Sequence, residues 1–223
     1  METFKAINLR GRQGQPILIS SVIPESTDQV RSITSQMKVE EFIPEFRFDL
    51  YTMAESDTIR KYLEAFTEEG GHGIFTFRGK EESIGQLYTD ALEFNNIVAD
   101  FDISLKEMIP EKGRDRIIVS SHFDQYWELQ GRIGQILSLK PGAVKVACPM
   151  TSPQLMEAGS FISGLNLSIP VSVIPMGEPS FLRLVSALAI SDFVYTYHER
   201  PVAPGQFSTV KFRELLRTVN STE

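Results

Sequence analysis

Pro141-Gly142-Ala143-Val144-Lys145-Val146-Ala147-Cys148-Pro149 reads as a short β-strand held between two breakers. Side chains alternate faces along a strand, so Val144, Val146 and Cys148 share one side and Ala143, Lys145 and Ala147 share the other. The first face is apolar enough to pack under helices. The second offers a lysine with only alanine methyls beside it, which leaves open volume around the amine. Such a lysine is either the solvated end of an edge strand or a desolvated amine. Lost hydration favours the neutral form, a nucleophile toward carbonyl carbon.

Working outward, the same strand-then-helix alternation fills the chain. Expected strands are Pro16 to Val22, Ile43 to Leu50, Gly73 to Arg78, Ile97 to Ser104, Arg116 to Ser121, the lysine strand, Ile169 to Met176 and Ile190 to Tyr197. Helical patterning follows each. It starts after Pro24-Glu25-Ser26-Thr27-Asp28 and recurs over Asp57 to Phe66, through Leu87 to Phe94, and over Tyr126 to Leu137 with Trp127 toward the core. It recurs again over Pro153 to Leu165, Pro179 to Leu188 and Val210 to Leu216. After the fourth strand it shrinks to Leu105 to Met108. Eight successive units demand parallel pairing with right-handed crossovers and suit a closed α/β barrel, the (β/α)8 or TIM barrel, as one domain over residues 1–223. The first fifteen residues, with Gly11-Arg12-Gln13-Gly14, are expected as a lead-in beneath the barrel. A doubly wound open sheet is the alternative, although no glycine fingerprint follows the first strand.

Composition narrows the function. A net charge of −7 argues against nucleic acid and anionic membrane as partners. No apolar run is long enough to span a bilayer, and the start Met1-Glu2-Thr3 is not a signal-peptide pattern. The single cysteine, Cys148, forms no internal disulfide and fits a reducing cytoplasm. No His/Cys cluster has metal-ligand spacing, so no metal and no cofactor are expected. His72, within Gly70-Gly71-His72-Gly73, belongs to a turn.

Strands buried on both faces should be almost wholly apolar. Several here are not. Glu45, Arg47 and Asp49 share one parity against Phe46, Phe48 and Leu50; Asp100, Asp102 and Ser104 oppose Ala99, Phe101 and Ile103; Thr76 and Arg78 oppose Phe75 and Phe77. If the apolar parity lies under the helices, the polar parity points into the barrel. An antiparallel sheet with one wet face gives the same alternation but has no need of the intervening helices. Charges in a barrel lumen are costly as scaffolding, so they are expected to meet a small polar substrate. The chemistry they permit is Schiff-base catalysis. Lys145 attacks a ketone, and His122, at the end of the fifth strand, removes a proton beside the resulting iminium. Glu82 is placed to orient that imidazole, and Arg183, in the helix after the seventh strand, to fork a carboxylate.

Six pieces, Glu45-Phe46-Arg47-Phe48-Asp49, Phe75-Thr76-Phe77-Arg78, Ser120-Ser121-His122, Val144-Lys145-Val146-Ala147, Pro175-Met176-Gly177-Glu178 and Ala203-Pro204-Gly205-Gln206, stand in the order of one family. Through them the chain resembles the type I 3-dehydroquinate dehydratases of the shikimate pathway, from about Pro16 to Phe212. The resemblance implies a cofactor-free barrel, usually a homodimer, that eliminates water from 3-dehydroquinate. By it Lys145 forms the iminium at the C3 ketone, His122 takes the C2 proton and helps the C1 hydroxyl leave, and Glu82 pairs with His122. Arg183 matches the carboxylate-binding arginine, and Ser21, Glu45, Arg47, Arg78 and Gln206 match groups around the ring. The loop Pro201 to Phe207 is expected to close over substrate. Val202 stands where the family commonly has serine, which removes a hydroxyl from that loop. Two other readings share the lysine: an aldolase-type barrel that cleaves a carbon-carbon bond, and a catalytically impaired barrel that only binds a metabolite.

Overall fold

The computed structural model describes residues 8–11, 15–50, 55–79, 84–177 and 180–220. Glu82, Arg12, Gln13 and Gly14 lie outside them. The described chain runs β1 (Ile17–Val22), α1 (Thr27–Glu40), β2 (Ile43–Arg47), α2 (Ser56–Glu68), β3 (Gly73–Thr76), α3 (Ile84–Glu93), β4 (Ile97–Asp102) and β5 (Ile117–His122). It continues with α4 (Leu129–Ser138), β6 (Ala143–Pro149), α5 (Ser152–Leu165), β7 (Val171–Met176), α6 (Phe181–Ala189), β8 (Phe193–Tyr197) and α7 (Thr209–Asn220). All pairings are parallel, in the order β7-β6-β5-β4-β3-β2-β1-β8. The eight strands make a nearly closed barrel, with β7 and β8 facing each other across a seam.

The alternation of each strand sorts the core into two shells. Phe46, Phe48, Phe75, Phe77, Phe101, Val144, Val146 and Cys148 lie outside the sheet, under the helices. Each such ring or branched side chain contributes roughly 1.5–3 kcal/mol by leaving water. Ile19, Ile74, Val98, Ile118, Ala143 and Phe193 fill the lumen at its amino-terminal end, and Leu9 of the lead-in packs among them as a plug. One step further along each strand the inward positions turn polar: Ser21, Glu45, Thr76, Asp100, Ser120 and Lys145. An apolar floor with a charged storey above it places the site at the carboxyl ends of the strands.

Five expectations are corrected. The second strand stops at Arg47, because Phe48–Leu50 coils into a 3-10 turn. The third stops at Thr76. The fourth stops at Asp102, and Ser104 turns back instead of pointing into the lumen, donating from N and Oγ to Asp102 Oδ1 at 3.0 and 2.7 Å. The segment Ile103–Met108 is 3-10 with a kink at Leu105, so no α-helix follows β4 among the described residues. Trp127 is 76% exposed, not toward the core. It sits in the 3-10 turn Tyr126–Glu128, whose tighter winding puts it out of phase with Leu129, Ile133 and Ile136, the buried residues of α4.

Candidate active site

Lys145 is 5% exposed and points into the lumen. Its Cα partners across the ladder are Ser120 on β5 and Ser172 on β7, small neighbours that leave room for the amine. The carboxylate of Asp100, one strand further round, reaches past Ser120. Lys145 Nζ donates to Asp100 Oδ2 at 2.7 Å and lies 3.6 Å from Glu45 Oε1. It also stands 3.6 Å from the centre of the Tyr195 ring, within cation–π range. The surroundings are therefore richer than alanine methyls: two anions and an aromatic face converge on one nitrogen.

Both anions are themselves held. Glu45 accepts from Ser21 Oγ at 2.6 Å and from Thr76 Oγ1 at 2.9 Å. Asp100 accepts from Arg78 Nη2 at 3.2 Å and from the Ser120 hydroxyl. Burial by itself would raise both carboxyls, but the charges of Lys145 and Arg47 hold Glu45 below its ordinary value. Burial is likewise overcome at Asp100, where Lys145 and Arg78 bring the carboxyl down to about 2. Arg47 is neutralised sideways, its Nε and Nη2 on Asp49 at 2.9 and 2.7 Å. Fully paired charges of this kind are the condition on which a lumen tolerates them.

His122 closes β5, and Phe123 N behind it donates to Ala147 O of β6 at 3.1 Å, fixing the strand end. Its pKa is lowered: burial is the largest cause, and the positive charges of Arg78 and Lys145 add to it, against the opposing bond with Asp102. The imidazole is thus neutral at neutral pH and able to accept a proton. Arg183 is buried in α6, and its Nη2 donates to Pro204 O at 2.8 Å, joining that helix to the loop after β8. Gln206 Nε2 donates to Thr196 O at 2.7 Å and stands 3.4 Å from Ser21 Oγ, while Val202 N donates to Gln206 Oε1 at 3.0 Å. The loop is laced down onto the mouth of the barrel.

Ser21, Glu45, Arg47, Arg78, His122, Lys145, Arg183 and Gln206 all border one cavity of about 240 Å³, with Val202 at its rim. Of the nine site residues expected from sequence, eight are brought together, and Glu82 lies outside the described residues. Asp100 and Tyr195 were not expected as partners of the lysine. Parity alone placed Asp100 inward, and the same parity over Phe193, Val194 and Tyr195 was the available signal for the ring. Among the described residues, no His, Cys, Asp or Glu cluster suits a metal ion, and no helix is long and apolar enough to cross a membrane.

Comparison with known proteins gives this arrangement a family. A 3-dehydroquinate dehydratase of Thermoplasma volcanium is 30% identical over 203 residues, spanning 86% of this chain and 84% of the relative. One from Thermoplasma acidophilum is 26% identical over 201 residues, spanning 86% and 85%. In fold, the 3-dehydroquinate dehydratase of Geobacillus kaustophilus superposes with a TM-score of 0.76 at 18% identity, covering 93% of this chain and 92% of that one. The type I enzyme of Clostridium difficile, solved with covalently modified comenic acid, gives 0.76 at 16% identity, covering 96% and 95%. The type I 3-dehydroquinase family model matches residues 19–223. A parallel barrel carrying a carboxylate-ringed lysine beside a strand-end histidine, with that match over nearly the whole chain, leads to one conclusion: the chain belongs to the type I 3-dehydroquinase family.

Proposed function

We propose that the chain is a 3-dehydroquinate dehydratase whose covalent centre is Lys145 and whose proton carrier is His122. The observation that carries this reading is the buried Lys145 amine, 2.7 Å from Asp100 and sharing a cavity with His122 and three arginines. Lys145 attacks the C3 ketone as the free amine, and the proton it gave up returns to the carbinolamine oxygen, which leaves as water and leaves an iminium on Nζ. Ammonium and iminium carry the same charge at the same atom, so Asp100, Glu45 and the Tyr195 ring suit both without rearrangement. Neutral His122 takes the C2 proton, and the electron pair of that C–H bond flows to the iminium nitrogen as an enamine. The imidazolium returns the proton to the C1 hydroxyl, which leaves as water. Hydrolysis of the remaining iminium frees the enone and restores Lys145.

Arg183 and the Arg47 and Arg78 side chains suit the substrate's carboxylate and hydroxyls, and Glu82 is assigned by resemblance as a carboxylate near His122. The family resemblance further supports a homodimer, and the buried free Cys148 suits a reducing cytoplasm. The test is incubation of the purified protein with 3-dehydroquinate while the conjugated-enone absorbance is followed, then borohydride reduction and peptide mapping. The expected result is enone formation and an adduct on Lys145 that is absent from Lys145→Ala. Turnover that survives in Lys145→Ala, or an adduct on another residue, overturns the reading.

A further inference from the structure

On the reading just given, His122 must hold a neutral nitrogen toward the substrate and then carry a positive charge. What the imidazole faces on its other side therefore decides how well it works. Nδ1 of His122 lies 3.7 Å from Oδ2 of Asp102, the last residue of β4. Asp102 is pinned rather than loosely hung. Its Oδ1 accepts from Ser104 N at 3.0 Å and from Ser104 Oγ at 2.7 Å, and its Oδ2 accepts from Arg78 Nη1 at 2.9 Å. The two strands are ladder neighbours, with Asp102 paired to Ser120 two residues before His122, so their ends keep a fixed separation.

We propose that Asp102 is a positioning residue for the proton carrier: its carboxylate fixes the Nδ1–H tautomer of His122, presents Nε2 to the cavity, and receives the imidazolium charge. The nitrogen of an imidazole that holds the proton is set by the partner of that nitrogen. A carboxylate opposite Nδ1 therefore leaves Nε2 as the free base, the arrangement in which a carboxylate orients a histidine without itself taking the proton. A swing of the ring by about 1 Å brings Nδ1–H to charge-assisted hydrogen-bond distance. Such tightening is ordinary as a proton arrives. Burial would raise the Asp102 carboxyl, yet the bonds from His122 and Ser104 and the charge of Arg78 hold it well below its usual range, so it stays an anion through the cycle.

Among the described residues, no other charge around the ring substitutes for it. Arg78 and Lys145 both disfavour the imidazolium, and Asp100, which favours it, is already engaged by Lys145, Arg78 and Ser120. Lys106 and Arg132 border a second, outer cavity that His122 also lines, and they add positive charge on that side. Among the described residues, Asp102 is the carboxylate facing Nδ1. It stands on a strand that the resemblance left without a role; Glu82, which the resemblance pairs with His122, lies outside the described residues.

Asp102→Asn tests this, with Asp102→Glu as the conservative partner. Removing the anion withdraws what raises the imidazole pKa, so the acidic limb of the kcat/KM profile, where the base becomes protonated, should move to lower pH. Enone formation should slow about ten- to a hundredfold. Borohydride should still trap the adduct on Lys145 in the asparagine variant, because iminium formation does not need the oriented Nε2. Asp102→Glu should recover most of the rate. Nitrogen-15 NMR of the imidazoles reads the same point without turnover: His122 should titrate as an Nδ1–H tautomer in the native protein and shift down in Asp102→Asn. An asparagine variant whose melting temperature falls while its pH limb and His122 titration stay put overturns the proposal. A native protein that forms neither adduct nor enone overturns the dehydratase reading instead, and the NMR titration then still decides the role of Asp102.

Discussion

Asp100 joins the two cations of the lumen: its Oδ2 accepts from Lys145 at 2.7 Å, and both oxygens lie 3.2 Å from Arg78 Nη2. Replacing it by asparagine leaves the buried Lys145 and the half-buried Arg78 facing a neutral amide. Breaking a buried pair from one side costs about 3–5 kcal/mol, so Asp100→Asn should unfold at markedly lower urea concentration. It should also trap less borohydride adduct, since the iminium loses its counter-charge. The pH dependence follows with a definite sign. The Asp100 carboxyl stands at about 2 in the folded protein, below its ordinary value, so its contribution is complete above that ordinary value and lost as pH falls toward 2. A shift of this size corresponds to roughly 2 kcal/mol. The share of the urea stability owed to Asp100 should therefore stay level from pH 7 to 5 and fall between about pH 4 and 2. In the asparagine variant that share of the acid slope should vanish, leaving those owed to Glu45 and Asp102.

The loop after β8 shows how an element is built around two glycines. Gly205 has φ +71°, and a Cβ there would stand 2.6 Å from Gly177 O, itself a residue with φ +83°. Gly205→Ala therefore meets both left-handed strain and a backbone clash. At about 1–2 kcal/mol for the backbone alone, the loop should seat roughly 5–30-fold less often. KM for 3-dehydroquinate should rise accordingly, with the melting temperature little changed. A rise in KM matched by a large fall in melting temperature would mean the loop is part of the frame instead of a cover. Val202→Ser restores a hydroxyl at the cavity rim and should lower KM by up to about tenfold, one neutral hydrogen bond. What was legible in the sequence is clearest at this scale. Alternation over Phe46, Phe48, Phe75 and Phe77 told inside from outside, and with it the cavity's lining. The ends of β2 and β4 were not legible, because a period of two runs on through Asp49 and Ser104 after the ladder has stopped. Nor was the pairing of Asp100 with Lys145, because it depends on which residues of neighbouring strands stand level, and alternation within one strand is silent on that.

As a whole molecule the barrel is closed by a ladder everywhere except between β7 and β8, where side chains take over. Asp192 N donates to Val171 O at 2.8 Å, and Val171 N donates back to Asp192 Oδ2 at 2.9 Å. Val173 N donates to Ser191 Oγ at 3.0 Å, and Ser186 Oγ donates to Val173 O at 2.5 Å. Three side-chain oxygens thus stand in for a missing strand partner. The lead-in presses on the same place from below, since a Cβ on Gly11 would lie 2.4 Å from Asp192 O. Asp192→Ala leaves the Val171 N–H without its acceptor, a loss of about 1–3 kcal/mol, or about 2–10 °C in melting temperature for a chain of this size. Amide exchange should quicken at Val171 and Val173 before any other strand, which isotope-exchange NMR reads directly. Catalysis should change little at 25 °C, because Asp192 precedes β8 at the floor of the barrel while Lys145 and His122 work at the opposite end. Asp192→Asn keeps a side-chain oxygen for Val171 and should recover most of the loss. A fall in kcat that tracks the fall in stability across these two variants would show that the seam holds the site in register. If only stability moves, floor and mouth of the barrel are energetically separate.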